Sequence, residues 1–317
     1  MPTTARDLSF DWRGLALAGT LHLPAADPPY PAVVMLQGSG PADRDSGGYF
    51  PPIRDVLLGR GLAVYSFDKP GIGGSSGDWR DYALHDRADQ ARAALALVAD
   101  LPEIDAGRVG VWGHSQGGWV VQIVAADRPD LPFAVASAGP GIDVREQDRY
   151  SFEEMLRSEG LGEPDLERAM AALDALHDAA MRGDDFETVE REHIAPARGE
   201  AWYEQLPDDE RQLYDDPATW GLTRRIIQEA YDPPEALARI ACPLLAVFGS
   251  LDPLLPTLES AAIYSRALVD AGNHDATIVV FPGANHRLLV AETGEFTGGY
   301  LDLLGDWVAR RVGAARG

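Results

Sequence analysis

Gly113-His114-Ser115-Gln116-Gly117 sets a serine between two glycines, each two positions away. A serine hydroxyl is a weak nucleophile until a neighbouring base takes its proton, and it must stand clear of the backbone to reach a carbonyl. Flanking glycines permit a sharp turn from strand to helix that exposes such a hydroxyl. The context fits, with an apolar strand-like run over 108–112 before the motif and a helical run over 117–126 after it. The same turn aims the backbone N–H of Gln116 at the reacting carbonyl, at the positive end of the helix. Two strands earlier, Gln37-Gly38-Ser39-Gly40-Pro41 follows the apolar run 32–36. This loop is placed to give a second donor to an oxyanion. The N–H of Ser39 is the first choice and that of Gly38 the alternative; an ordinary glycine turn is the competing reading.

The base must be one of seven histidines. His286 alone follows a strand (277–281) and a turn, Pro282-Gly-Ala-Asn285, which puts it at the sheet edge where the nucleophile also stands. His274 precedes that strand, and the ring of His114 is expected to point away from the site. Asp252, in Gly249-Ser-Leu-Asp-Pro-Leu after the strand 244–248, is the candidate to orient the base, with Asp143 past the strand 133–138 as its rival. The order Ser115, Asp252, His286 suits a serine triad on an α/β sheet.

Positioning these residues requires strands that alternate with helices. Strands are predicted at 15–24, 31–36, 62–67, 108–112, 133–138, 244–248 and 277–281, and helices at 49–61, 82–100, 117–126, 258–271 and 296–312. Continuous apolar strands between helices mean a mostly parallel sheet with helices on both faces, an α/β fold. Between 142 and 235 the rhythm stops: no strand is convincing, and helices are predicted over 155–181 and 186–193. The expected organisation is a core of residues 1–141 and 236–317 interrupted by a helical insertion, 142–235. Most of its aromatic residues should form its own core, with one or two of Trp202, Tyr203 and Trp220 left to face a cleft.

With these motifs in place the chain resembles the α/β-hydrolase superfamily over nearly all of its length outside the insertion. More narrowly it is similar to bacterial carboxylesterases and dienelactone-hydrolase-like proteins. Those carry a His-Gly-Ser-Gly-Pro loop followed by Asp-Arg-Asp, matched here by Gln37 to Pro41 and Asp43-Arg44-Asp45. A further match is Asp68-Lys69-Pro70-Gly71-Ile-Gly-Gly-Ser-Ser76, in which Lys69-Pro70 departs from the usual arginine and glycine. Gln37 stands where histidine usually braces the oxyanion loop, and a glutamine can still hydrogen-bond there. Asp43, Arg44 and Asp45 are expected to fix that loop rather than touch substrate. The resemblance implies an α/β-hydrolase fold with a helical cap over the site, and acyl transfer from a small ester, lactone or thioester through Ser115. An acyl transferase, thioesterase or cyclase on the same triad, and a ligand-binding protein that kept the fold, are the alternatives.

Composition narrows the partners. No apolar run approaches the roughly 20 residues of a membrane span, and the first ten residues have no apolar stretch of a secretory signal. A cytoplasmic protein is expected. The single cysteine, Cys242, opens an apolar run and reads as a buried, inert thiol. A net charge of −23 disfavours nucleic acid and anionic membranes. The expected partner is a small-molecule substrate; a homodimer is compatible with these data. Acyl transfer calls for no cofactor, and no metal ligand spacing such as His-x-x-x-His occurs.

The insertion holds 26 acidic and 10 basic residues. If they face the entrance to the site, a neutral ester should outperform a carboxylate-bearing ester of equal size at low salt. Added salt should narrow the gap, because charge is screened over about 10 Å at 0.1 M. Arg145, Arg149, Arg224 and Arg225, gathered at an anion site, would invert the preference. Measuring kcat/KM for the matched pair at two ionic strengths decides it, and a ratio indifferent to salt removes the charged gate.

Overall fold

The computed structural model describes residues 4–207, 211 and 215–313. Eight strands form one sheet in the order β1-β2-β4-β3-β5-β6-β7-β8. They are β1 (Thr4–Trp12), β2 (Leu15–Leu23), β3 (Tyr30–Leu36), β4 (Ala63–Phe67), β5 (Ile104–His114), β6 (Ala134–Ser137), β7 (Leu244–Gly249) and β8 (Ala276–Phe281). The β1–β2 and β2–β4 pairs are antiparallel and every later pair is parallel. Every residue of β3, β4, β6 and β7 is buried, as strands covered on both faces require.

The helices of the core are α1 (Phe50–Gly59), α2 (Leu84–Ala99), α3 (Gln116–Asp127), and, after the insertion, α7 (Pro233–Leu237), α8 (Thr257–Asp270) and α9 (Tyr300–Arg311). They fall into two groups, α1 with α9, and α2, α3, α7 and α8 in a row, one group on each face of the sheet. Gly61, at φ 81°, closes α1 where only a residue at ease in the left-handed region ends a helix cleanly.

Three elements differ from the sequence reading. β1 was not expected: its run Thr-Ala-Arg-Asp-Leu-Ser is largely exposed on the sheet's edge, so it lacks the apolar signature of the inner strands. β5 starts four residues early, at Ile104. Its pairing with β3 skips from Tyr30–Ile104 to Ala32–Val109, so Asp105-Ala-Gly107 reads as a turn although it is an irregularity within a strand. The last helix starts at Tyr300 instead of 296, because Gly299 sits at φ 83° and Thr297 joins the turn before it.

The insertion is helical, with α4 (Val144–Ser158), α5 (Glu163–Arg182) and α6 (Pro217–Gln228), and only short helical turns over 186–204. The expected helix over 155–181 is two helices. Gly160 at φ 84° stops α4, and Pro164 in the first turn of α5 fixes a new start. Two hydrophobic clusters separate from the main core hold the insertion together. One contains Phe152, Leu156, Leu173 and Trp202, and the other Leu176, Val189, Trp220 and Ile227. Trp202, Tyr203 and Trp220 are all buried in these clusters, so the expectation that some face a cleft is corrected: their ring area is spent on the insertion's own core. The chain rejoins the main core at Tyr231. The four arginines proposed for an anion site do not converge. Arg145 pairs with Asp178 and Arg149 with Asp174; Arg225 reaches the carbonyl of Arg80, and Arg224 that of Gly183.

Among the described residues no helix is long and apolar enough to cross a membrane. Cys242 is 1% exposed, and burial pushes its thiol up to about 12. Ellman's reagent should therefore find no reactive thiol in the native protein at pH 8 and about one per chain in denaturant. A fast native reaction would show the α7–β7 region open.

Candidate active site

Ser115 sits at φ 57° and ψ −122°, between the end of β5 and the start of α3. A non-glycine residue held there costs on the order of 1–3 kcal/mol, and the surroundings must over-determine it. They do so by close approach. A Cβ at Gly113 would lie 2.1 Å from the carbonyl oxygen of Gly117, and one at Gly117 would lie 2.6 Å from that of Leu36. The Ser115 N–H donates to Ser137 at 2.9 Å, and its carbonyl accepts from Gly118 at 2.7 Å. The oxyanion loop touches the serine through Gly38, whose added Cβ would stand 3.1 Å from the Ser115 Cβ and 3.6 Å from its Oγ.

Gln37 is 1% exposed, and its Nε2 donates to the carbonyls of Asp43, at 3.1 Å, and Phe67. It braces the loop as histidine does in the resembled proteins. Arg44 bridges both carboxylate oxygens of Asp68 and reaches Thr20 and Asp7, while Asp43 accepts from the N–H groups of Asp45 and Gly47. Arg54 pairs with Asp45. These residues form a network that fixes the loop, as expected. The carboxyl of Asp68 stays below its ordinary range: burial pushes it up, but the Arg44 side chain and backbone N–H groups outweigh that.

His286 Nδ1 lies 2.7 Å from Asp252 Oδ2, with the carboxyl wholly buried and the ring nearly so. Asp252 Oδ1 accepts from Leu254 N–H at 2.8 Å, so both oxygens are held. The acid and base loops are joined along their backbones: Ser250 N–H donates to Phe281, Leu251 N–H to Ala284, and Gly283 N–H to Ser250 Oγ. Gly249 permits this, since a Cβ there would lie 2.3 Å from the carbonyl of Asn285. Asn285 accepts from the N–H groups of Arg287 and Leu289, and that turn fixes the step on which His286 stands. His286 Nε2 is buried and has no hydrogen-bond partner among the described residues.

The ring of His114 does not point away from the site. It packs 4.9 Å from the His286 ring and 4.7 Å from Tyr49, and is buried there. Burial, then the nearby His286 and Arg287, hold it well below its usual range, so it is neutral. Asp143, the rival acid, caps α4. Its carboxylate accepts from Glu146 N–H in a reciprocal capping box. It lines a crevice of about 440 Å³ at the hinge of the insertion, which takes in none of Ser115, Asp252 and His286. Among the described residues no three His, Cys, Asp or Glu side chains gather as metal ligands.

Sequence reasoning missed Arg87, whose guanidinium reaches the carbonyls of Gln37 and Gly38 and the Oε1 of Gln116. Its spacing was the available signal: three residues after Leu84 and four before Ala91, it is a basic residue on the buried stripe of α2. Lys69, noted only as a departure in a turn, is 2% exposed, and its Nζ donates to the carbonyls of Gly38 and Gly40.

The insertion is tied to the loops on both sides of the site. Gln147 Nε2 donates to Leu254 at 2.8 Å and Tyr150 Oη to the Asp252 carbonyl at 3.5 Å. On the other side Arg80 pairs with Asp216, and Glu229 accepts from the N–H groups of Leu84 and His85 at the start of α2.

Residues 33–297 match the alpha/beta hydrolase family. Among curated proteins, the esterase FrsA of Yersinia enterocolitica is 33% identical over 142 residues, which are 44% of this chain and 33% of that protein. The chain thus spans about a third of the length of that relative. Among solved structures, the alpha/beta hydrolase GrgF from Penicillium sp. sh18 superposes with a TM-score of 0.64 at 20% identity, covering 99% of this chain and all of that one. The Pyrococcus furiosus esterase Pf2001 gives 0.62 at 18% identity, over 98% and 93% of the two chains. At such identities the structural likeness is one of fold.

The two aspartates separate by experiment. An acid that fixes the histidine tautomer is worth up to about 10^4 in rate. Asp252→Asn should lose on the order of 10^3–10^4 in kcat at unchanged stability. Asp143→Asn should keep kcat within about threefold, and Asp143→Ala should cost about 1 kcal/mol of stability. The reverse ranking in steady-state assays would move the acid to the loop after β6.

Proposed function

The chain belongs to the alpha/beta hydrolase family, and on that premise we propose that it is a serine hydrolase of small to medium carboxylic esters, acting through an acyl-enzyme on Ser115. The observation that carries the proposal is the 2.7 Å Asp252–His286 pair, with the second ring nitrogen of His286 left without a partner and its ring packed 4.9 Å from His114, the residue before the strained Ser115. That nitrogen takes the Ser115 proton as Oγ bonds to the ester carbon. The carbonyl π pair moves onto oxygen, where the N–H groups of Ser39 and Gln116 receive it. As the carbonyl reforms, the alkoxide leaves with the proton that His286 carried. Water, deprotonated by His286, repeats the addition and releases the acid from Ser115. Ester is favoured over other acyl substrates because a sequence relative and a fold neighbour both carry the name esterase.

In this reading residues 142–235 are a cap over the site and act as a steric filter on the acyl or alcohol group. Its ties to Leu254 on one side and to Leu84 and His85 on the other support that role. The reading includes a cytoplasmic enzyme that needs no cofactor.

A fluorophosphonate should add its mass to Ser115 and abolish turnover of a chromogenic acetate or butyrate ester. Ser115→Ala should resist labelling, melt normally and lose on the order of 10^3 or more in kcat. Unchanged turnover in Ser115→Ala would end the proposal. Labelling without turnover of any ester, lactone or thioester would favour a binding protein that kept the fold.

A further inference from the structure

Two basic side chains lie behind the loop whose Gly38 abuts Ser115, with no carboxylate to neutralise them among the described residues. Lys69 is buried, with its ammonium on the carbonyls of Gly38 and Gly40 and 5.8 Å from the Trp79 ring. Arg87 keeps part of its surface exposed, while its guanidinium is enclosed by the carbonyl of Gln37 at 3.3 Å, that of Gly38 at 3.5 Å and the Gln116 side chain. Arg44, in the same neighbourhood, shows the ordinary solution, a fork onto Asp68. A buried cation without a counter-charge is costly. The cost registers on both groups: desolvation draws the Arg87 guanidinium down to about 10, and desolvation, then the charge of Arg87, draws the Lys69 ammonium well below its usual range.

What the cations hold is the back of the oxyanion loop. In a trans peptide the C=O and the following N–H point in opposite directions. Turning the carbonyl of Gln37 toward Arg87 therefore turns the N–H of Gly38 away from it. Turning the carbonyl of Gly38 toward Lys69 and Arg87 does the same to the N–H of Ser39. Neither N–H has an acceptor among the described residues, and Gly38 is the residue that abuts Ser115. Arg87 also holds the side chain of Gln116, whose backbone N–H is the other donor.

We infer that Lys69 and Arg87 are positioning residues: they grip the carbonyls of Gln37 and Gly38 so that the N–H groups of Gly38 and Ser39 face the forming oxyanion, and the uncompensated charge of Arg87 sets a positive potential there. The inference rests on the serine hydrolase reading. It explains why two basic side chains without a carboxylate partner are kept at this loop where apolar ones would cost less. A positive potential that is fixed before reaction favours the oxyanion over the neutral ground-state carbonyl, so its loss should appear in kcat and not in KM.

The test measures kcat and KM for a chromogenic ester, and the affinity of phenylboronic acid, which forms a tetrahedral adduct on a serine Oγ. Wild type is compared with Lys69→Met, Lys69→Arg, Arg87→Met and Arg87→Lys, with Ser115→Ala as control. Both methionine variants should lose on the order of 10^2 in kcat with KM within about threefold. Boronic acid affinity should fall by a similar factor, and Lys69→Arg should recover most of both. Wild-type kcat in the methionine variants, or a fall in kcat with boronic acid affinity unchanged, overturns the inference. Should a methionine variant not fold, Arg87→Lys decides. A single ammonium cannot span Gln37 and Gln116, so kcat and boronic acid affinity must drop together; wild-type values for both overturn the inference. Ser115-dependent turnover with normal cation variants removes this inference alone. No Ser115-dependent turnover in wild type removes the functional reading with it.

Discussion

Ser115 is held in a backbone conformation that its own side chain disfavours, and much of the surrounding sequence follows from that. The turn from β5 to α3 is so tight that Gly113 and Gly117 face each other at less than van der Waals distance for any side chain, and Gly117 presses on the end of β3. The parallel pairing of β3 with β5 brings Gly38 against the serine. A strain on the order of 1–3 kcal/mol is small beside the packing of a buried eight-stranded sheet, so the core can hold it without distortion elsewhere.

The polar groups displaced by this packing are satisfied one by one. The start of the oxyanion loop has left β3 and has no strand partner, so side chains take over: Gln37 bonds to Asp43 and Phe67, and Arg44 ties the loop to Asp68 and β2. Bonds to charged partners contribute about 1.5–3 kcal/mol each when buried, more than the exposed ion pairs that stud this acidic surface. The loop is consequently stiff, and its conformation is set from behind by groups that need never meet substrate.

The insertion works on a different scale. Most of its arginines form local pairs with its own aspartates and glutamates, each worth about 0–1 kcal/mol, while Arg224 and Arg225 bond to backbone carbonyls, and its tryptophans fill two small cores. What links it to the chemistry is a handful of hydrogen bonds on either side of the site. A shift of this segment would be felt by the acid loop through Gln147 and by the first turn of α2 through Glu229, three residues from Arg87.

The inner strands and the helices between them are legible in the amino-acid sequence. Burial on two faces writes a continuous apolar run, glycines at 113 and 117 mark a turn that admits no side chain, and Gly61 marks a left-handed helix end. Ser115 is legible from its flanking glycines between a strand and a helix, Asp252 from the order of the three residues, and His286 from the rule that functional loops lie at the same edge of a parallel sheet; the structure puts Asp252 and His286 in contact. The sequence reading misjudged β1, whose exposed edge carries no such run, and joined α4 to α5 across two glycines because helical periodicity continues on either side. That His114 packs on His286, that Trp202, Tyr203 and Trp220 are core, and that Lys69 and Arg87 meet at one loop emerges only from the packing of distant segments. Each of these depends on which distant segments are brought within a few ångströms. Residue type and spacing report a side chain's own element, and burying a charge against another element's carbonyls leaves no mark in either local pattern beyond a basic residue on an apolar stripe.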